Sequence, residues 1–120
     1  MKWKQSLNKW RTTRKITKPL EDFEGAIESE VDEYTTAVRA NDIHEQIDAC
    51  GDIITFATNQ IHLLGYDVDA VMKEICKEIS SRNQDPAQAA RDWSEEKWEK
   101  DRSQDSTTLY KSDFSRCKLS

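Results

Sequence analysis

The sequence predicts an all-α protein, an antiparallel helical bundle, from three observations. Apolar residues recur at helical spacing, most clearly at Phe23, Ala26, Ile27, Val31, Tyr34, Ala37 and Val38. Only three glycines and two prolines interrupt 120 residues. β-Branched residues rarely alternate with polar ones over the length of a strand, so no sheet is expected. A composition of 36% hydrophobic and 34% charged residues suits amphipathic helices with modest cores, and an oligomer that completes them.

The first helix is expected from Lys2 to about Arg14, with Trp3, Leu7 and Trp10 on one face. Lys18-Pro19 breaks it, because proline disfavours helix in the residue before it. A second helix runs from Leu20 to Ala40 on the stripe named above. Asn41 or Asp42 caps a third, which continues to about Leu64 and ends at Gly65. So short a connection makes the second and third helices antiparallel neighbours. Asp67 or Asp69 caps a fourth, striped by Val71, Met72, Ile75, Cys76 and Ile79 and fading from Ser80 to Asn83. Asp85-Pro86 starts a further helix, since proline suits the first turn. Beyond Lys100 the chain is polar until Leu109, Tyr110 and Phe114, and reads as a docked extension.

The net charge of −5 hides an asymmetry. Residues 1–18 hold seven Lys/Arg and no Asp/Glu, leaving 11 basic and 23 acidic residues, a net −12, for the other 102. A basic arm on an acidic body is either a solvated first helix or a contact for phosphate, nucleic acid or a neighbouring subunit. No apolar run approaches the roughly 20 residues that cross a bilayer, and the start lacks the apolar stretch of a secretory signal. A cytoplasmic protein with no membrane partner is expected. Cys50, Cys76 and Cys117 are odd in number and lack paired C-x-x-C spacing, so reduced core thiols are expected rather than a zinc site or disulfides.

The densest chemical signal lies between Glu30 and Asp52, where carboxylates are interleaved with Val31, Tyr34, Ala37, Val38, Ile47 and Cys50. At about 100° per residue, Glu30 and Glu33 lie about 60° apart and border the apolar stripe, whereas Glu28 and Asp32 point about 160° away as surface charges. On the next helix Glu45, Asp48 and Asp52 stand at i, i+3 and i+7, within about 60° of one another. Antiparallel packing brings the two sets together. Two like charges about 4 Å apart repel by about 4 kcal/mol at an effective dielectric near 20. A hard divalent cation with oxygen ligands relieves that repulsion, and Mg²⁺ fits. Exposed helix positions for Glu30 and Glu33, and a capping box from Asp42 to Glu45, are the plainer alternatives.

These residues resemble the all-α nucleoside triphosphate pyrophosphohydrolases, the MazG-like and phosphoribosyl-ATP-pyrophosphatase-like group. Its E-x-x-E signature is matched by Glu30-Val-Asp-Glu33, and its E-x-x-D by Glu45-Gln-Ile-Asp48. A second alignment sets Asp48-Ala-Cys-Gly-Asp52-Ile-Ile on the family's D-A-L-G-D-L-L, with Asp52 as the aspartate and Ala49 in place of the glutamate. The likeness continues through Gly65-Tyr-Asp-Val-Asp-Ala-Val and through Glu78 followed by Asn83, although Pro86 stands where relatives carry a lysine. The tail from Glu96 resembles small phage-encoded members, which places the protein in a host cytoplasm. The resemblance implies hydrolysis of a (deoxy)nucleoside triphosphate between the α- and β-phosphates to a monophosphate and pyrophosphate. It implies Glu30 and Glu33 as catalytic, all five carboxylates as ligands of Mg²⁺ or Mn²⁺, and Asn83, Lys97, Lys100 and Arg102 as nucleotide contacts. A homodimer or homotetramer is implied, and a nucleic-acid partner is not expected. The single domain then divides into a basic helix over 1–18, a metal-binding core over 19–83, and a helix and docked tail over 84–120.

Two other readings stay open at this level. One is a phosphoribosyl-ATP-type substrate, and the other a non-catalytic helical adaptor for nucleic acid or a protein, which the Ala49 departure favours. His44 and His62 are isolated and suit capping or packing. Trp3 and Trp10 form a packing seam or stack on a base. Asn59 and Gln60, beyond Asp52, either read a base edge or hydrogen-bond between helices.

Overall fold

A computed structural model of the chain describes residues 2–81 and 110–119. The chain divides into two compact units, Met1–Tyr66 and Asp67–Ser120. The described residues hold four α-helices, α1 (Trp3–Thr13), α2 (Phe23–Arg39), α3 (Ile43–Leu63) and α4 (Val68–Ser80), and a 3-10 turn at Phe114–Arg116. They contain no helix long and apolar enough to cross a membrane.

Short side chains set the helix boundaries. Asp22, Asp42 and Asp67 each accept a backbone N–H three residues on, from Gly25, Glu45 and Ala70, and so start α2, α3 and α4. A Cβ at Gly25 would run into the Asp22 carboxylate, so glycine is what lets this cap close. The helix expected from Leu20 begins at Phe23 instead, because the Leu20 backbone is engaged elsewhere. Its N–H donates to Gln60 Oε1 at 3.0 Å, and its carbonyl accepts from Gln60 Nε2 at 3.3 Å. Between α2 and α3, Asn41 takes a left-handed φ of 54°, which asparagine tolerates, and leaves Asp42 extended as the cap. Gly65, with φ of 95°, ends the turn after α3.

In the first unit α2 and α3 pack closely along each other. Their contact is made by small side chains: Ala37 is 4% and Ala49 1% exposed. The alanines bring the helices close, but they leave the broad apolar stripes uncovered. Val31, Tyr34 and Val38 on α2 are exposed, as are Ile43, Ile47 and Ile54 on α3. No large side chain among the described residues is fully buried. The expectation that the carboxylates border a buried stripe is therefore corrected: they line the seam between the helices, and much of the stripe lies on the outside. Cys50 and Cys76 are exposed and only Cys117 is buried, so one of three cysteines is a core thiol.

In the second unit the segment 110–119 docks on α4. Tyr110 donates its hydroxyl to the Glu74 carboxylate, Ser112 Oγ donates to the Glu74 carbonyl at 3.1 Å, and Lys77 lies 4.9 Å from the centre of the Tyr110 ring. The Asp67 N–H donates to the Cys117 carbonyl at 2.7 Å, tying the start of α4 to the tail. Burial, then the nearby carboxylates of Glu74, Asp113 and Asp67, push the Cys117 thiol up, so it stays protonated and inert.

Candidate metal centre

The tight pairing of α2 and α3 converts sequence spacing into a cluster. One carboxylate oxygen from each of Glu30, Glu33 and Asp52 lies within 4.8 Å of the others. Glu30 and Glu33 sit one turn apart on α2, and antiparallel pairing sets Asp52 across from them. Glu33 is exposed, while Glu30 and Asp52 are half-buried. Glu30 Oε2 is closed off from solvent and has no hydrogen-bond partner among the described residues.

An orphaned buried oxygen beside two more carboxylates is costly unless a proton or a cation joins it. Burial, then the facing carboxyl of Glu33, then the charges of Asp52 and Asp48, push Glu30 from its usual 4.5 to about 7. Oxygens held about 2.0–2.6 Å from a shared hard cation are at most about 4–5 Å apart, so the observed spacing fits such an ion. The donor set, all carboxylate oxygen, is the chemistry that Mg²⁺ and Mn²⁺ take.

The other expected ligands stand farther along the same groove. Asp48 and Glu45 line a cleft of about 650 Å³ that also includes Glu30, Glu33 and Asp52. Asp48 is exposed and reaches the cluster through its charge, as the upward push on Glu30 records. Glu45, in the first turn of α3, gives its N–H to the Asp42 cap. Asp32, expected as a plain surface charge, is exposed but lies on the rim of this cleft, whereas Glu28 does not. Of the two alignments open in the sequence, the geometry joins Glu30 and Glu33 to Asp52. Ala49, which the second alignment sets in the glutamate's place, is buried. Asn83, Lys97, Lys100 and Arg102 lie outside the described residues.

A second cleft of about 520 Å³ opens from the same two carboxylates, Glu30 and Asp52, toward α1. Leu7 and Trp10 of α1 and Phe56 and Asn59 of α3 line it. Trp3 and Trp10 do not form a buried seam: both are exposed, and Trp10 lies under the Arg14 guanidinium at 4.8 Å. The residue that the sequence reading passed over is Arg11. It is 6% exposed and donates to Asn59 Oδ1 at 2.7 Å and to Asn8 Oδ1 at 3.3 Å. Burial pulls its guanidinium below the usual arginine value. A signal was available, since Arg11 follows Leu7 by one helical turn and so shares the apolar face of α1.

The model of the phosphoribosyl-ATP pyrophosphohydrolase family matches residues 7–79. The chain belongs to this family. It is thereby a pyrophosphohydrolase of the MazG-like superfamily, with the all-helical architecture that the sequence resemblance implied. The family match takes in Arg11, the five carboxylates expected as ligands and Asn59, and it stops short of Asn83 and the basic residues of the tail. No curated protein and no solved structure matches the chain.

Proposed function

We propose that the protein is a Mg²⁺-dependent nucleoside triphosphate pyrophosphohydrolase that cleaves between the α- and β-phosphates and releases a monophosphate and pyrophosphate. The observation that carries this reading is the convergence of Glu30, Glu33 and Asp52 around an orphaned buried oxygen, beside a cleft of nucleoside size. A bound divalent cation supplies charge neutralisation of the phosphates and lowers the pKa of water. Glu30, Glu33 and Asp52 hold it, and Asp48, one position from the family's missing glutamate, completes the acidic wall. Glu30 or Glu33 takes the proton of the attacking water, as a carboxylate held within hydrogen-bond reach of it can. Lys97, Lys100 and Arg102 remain candidates to offset charge on the departing pyrophosphate, with Asn83 beside the nucleotide.

The test is product analysis with a panel of ribo- and deoxyribonucleoside triphosphates and Mg²⁺. Monophosphate and pyrophosphate in equal amounts are expected. Phosphoribosyl-ATP belongs in the panel because the matching family model carries that substrate's name. Preference for it over every triphosphate would replace the reading of the substrate. Absence of turnover of any of these by folded protein would return the chain to the adaptor reading.

Self-association belongs to the same proposal. Ile43, Ile47, Cys50 and Ile54 lie within about 60° on α3, on the side away from Asp48 and Asp52. Ile43, Ile47 and Ile54 are 68%, 67% and 56% exposed, a solvent-facing seam that a second copy would cover. Ile47→Asp is expected to weaken self-association by at least about tenfold, since it removes a buried side chain worth about 1.5–3 kcal/mol. Light scattering across a dilution series reads this directly. A cytoplasmic setting, where nucleotides and Mg²⁺ are plentiful, completes the proposal.

A further inference from the structure

The Arg11–Asn59 pair has a chemical consequence for the cleft beside the carboxylates. Arginine has only donors, so the 2.7 Å contact from Arg11 Nη1 assigns the oxygen of the Asn59 carboxamide to Arg11. The amide is planar and its other end is NH₂, which forms no hydrogen bond among the described residues. Asn59 lines the cleft with Leu7, Trp10 and Phe56, so it offers an occupant N–H donors beside aromatic and aliphatic walls, in a cleft that Glu30 and Asp52 also line.

Arg11 cannot turn away at little cost. It is 6% exposed, its second nitrogen is spent on Asn8, and no carboxylate forms an ion pair with it among the described residues. A guanidinium buried without a counter-charge is expensive, and here its contact falls on a neutral amide at the edge of a cavity. A purely structural pair would gain more from an aspartate at position 59. Asparagine keeps the oxygen for Arg11 and leaves two donors over.

We propose that this cleft holds the base of the nucleotide, and that Arg11 is a positioning residue that fixes the Asn59 amide as a donor reader of adjacent acceptors on the base edge. This rests on the pyrophosphohydrolase reading for the phosphate end, since Glu30 and Asp52 belong to both clefts. The base class follows from the amide N–H, which two adjacent acceptors can share and which a donor beside the acceptor repels. Cytosine offers O2 beside N3 and guanine offers O6 beside N7, whereas thymine alternates acceptor and donor, and adenine pairs its N1 or N7 with an amino group. Trp10 and Phe56 supply the apolar and stacking surface that any base needs.

The test compares wild type with Asn59→Asp, a variant that keeps the contact to Arg11 as an ion pair and replaces the donors by an acceptor. Binding of the four α,β-imido deoxynucleoside triphosphates to the full chain is measured with Mg²⁺ present, and turnover of the four ordinary triphosphates in parallel. Wild type is expected to favour the cytosine or guanine nucleotide by about tenfold, the worth of one well-placed hydrogen bond. In Asn59→Asp that preference should be lost or reversed toward adenine, with kcat on the best remaining substrate changed far less than KM. Arg11→Lys, which retains the charge but not the fork, should relax the base order in the same direction. An unchanged base order in folded Asn59→Asp, or equal binding of all four nucleotides by wild type, overturns the proposal and leaves the carboxylate chemistry standing. Selective binding without turnover separates the two ideas the other way, upholding the base site and removing the pyrophosphohydrolase reading.

Discussion

Turnover in Glu33→Gln is expected to fall by about 10²- to 10⁴-fold, the range seen when a positioned acid or base is removed, while the helical fold persists. Glu33 is exposed on α2, so exchanging its carboxylate for an amide should change stability by only about 0.5 kcal/mol. The loss comes from chemistry. The amide gives up one of three converging anionic oxygens and frees Glu30 of the group that, after burial, does most to raise it. Glu28→Gln, on the same helix but outside the groove, is the control and should stay within about twofold, as surface substitutions do. Pyrophosphate release and far-ultraviolet circular dichroism together check the pair. A folded Glu33→Gln with wild-type turnover would remove Glu33 from the site.

The second large effect is on stability, and it depends on pH and metal together. In the metal-free protein Glu30 is raised to about 7, above its usual 4.5, so the folded state holds that proton more tightly than the unfolded chain does. The resulting stabilisation is present in full below the unfolded value and is lost as pH rises through about 7. Metal-free protein should therefore melt at a lower temperature at about pH 8 than at about pH 5.5, the sign expected for a raised acid. Mg²⁺ acts in the opposite sense, since it binds the ionised cluster. At about 100 times its Kd it adds about 2.7 kcal/mol to the folded state, an increment that should shrink as Glu30 protonates. Asp52→Ala should abolish most of the metal response and lower the pH at which Glu30 titrates, because both depend on the third carboxylate. Differential scanning calorimetry at the two pH values, with Mg²⁺ or a chelator, gives all four arms. A metal increment that is the same at both pH values would show that Mg²⁺ binds elsewhere.

Much of the helical order was legible because it is local. Asp42 and Asp67 stand among the residues named as caps, Gly65 as the stop, and the alternation of loop and helix follows from short-range chemistry at each position. The acidic groove was legible in outline for the same reason: i, i+3 and i+7 spacings put carboxylates on shared faces before any tertiary contact is known. Three features were not legible. Two alignments of the acidic signature, ending at Asp48 or, with Ala49 in the glutamate's place, at Asp52, stand side by side in the sequence, and only the registry of α2 against α3 joins Asp52 to Glu30 and Glu33. The apolar stripes read as a core, yet two buried alanines set the helix contact and leave Ile43, Ile47 and Ile54 outside. Arg11 read as one charge of a basic arm, although its partner lies 48 residues away.

By itself, then, the sequence determined that the chain is helical, where several helices begin and end, that its carboxylates gather on two helix faces, and to which family it is similar. Each of these depends on interactions within a few residues, or on a pattern of residue types. The tertiary structure alone decided which three carboxylates converge, that Glu30 keeps an unpartnered oxygen, and that Arg11 donates to an Asn59 that lines a cleft shared with the acidic cluster. The physical reason is that convergence is a matter of ångströms between distant segments. A shift of α3 by one residue along α2 preserves the local caps, and it would move Asp52 by about 1.5 Å and about 100° away from Glu30.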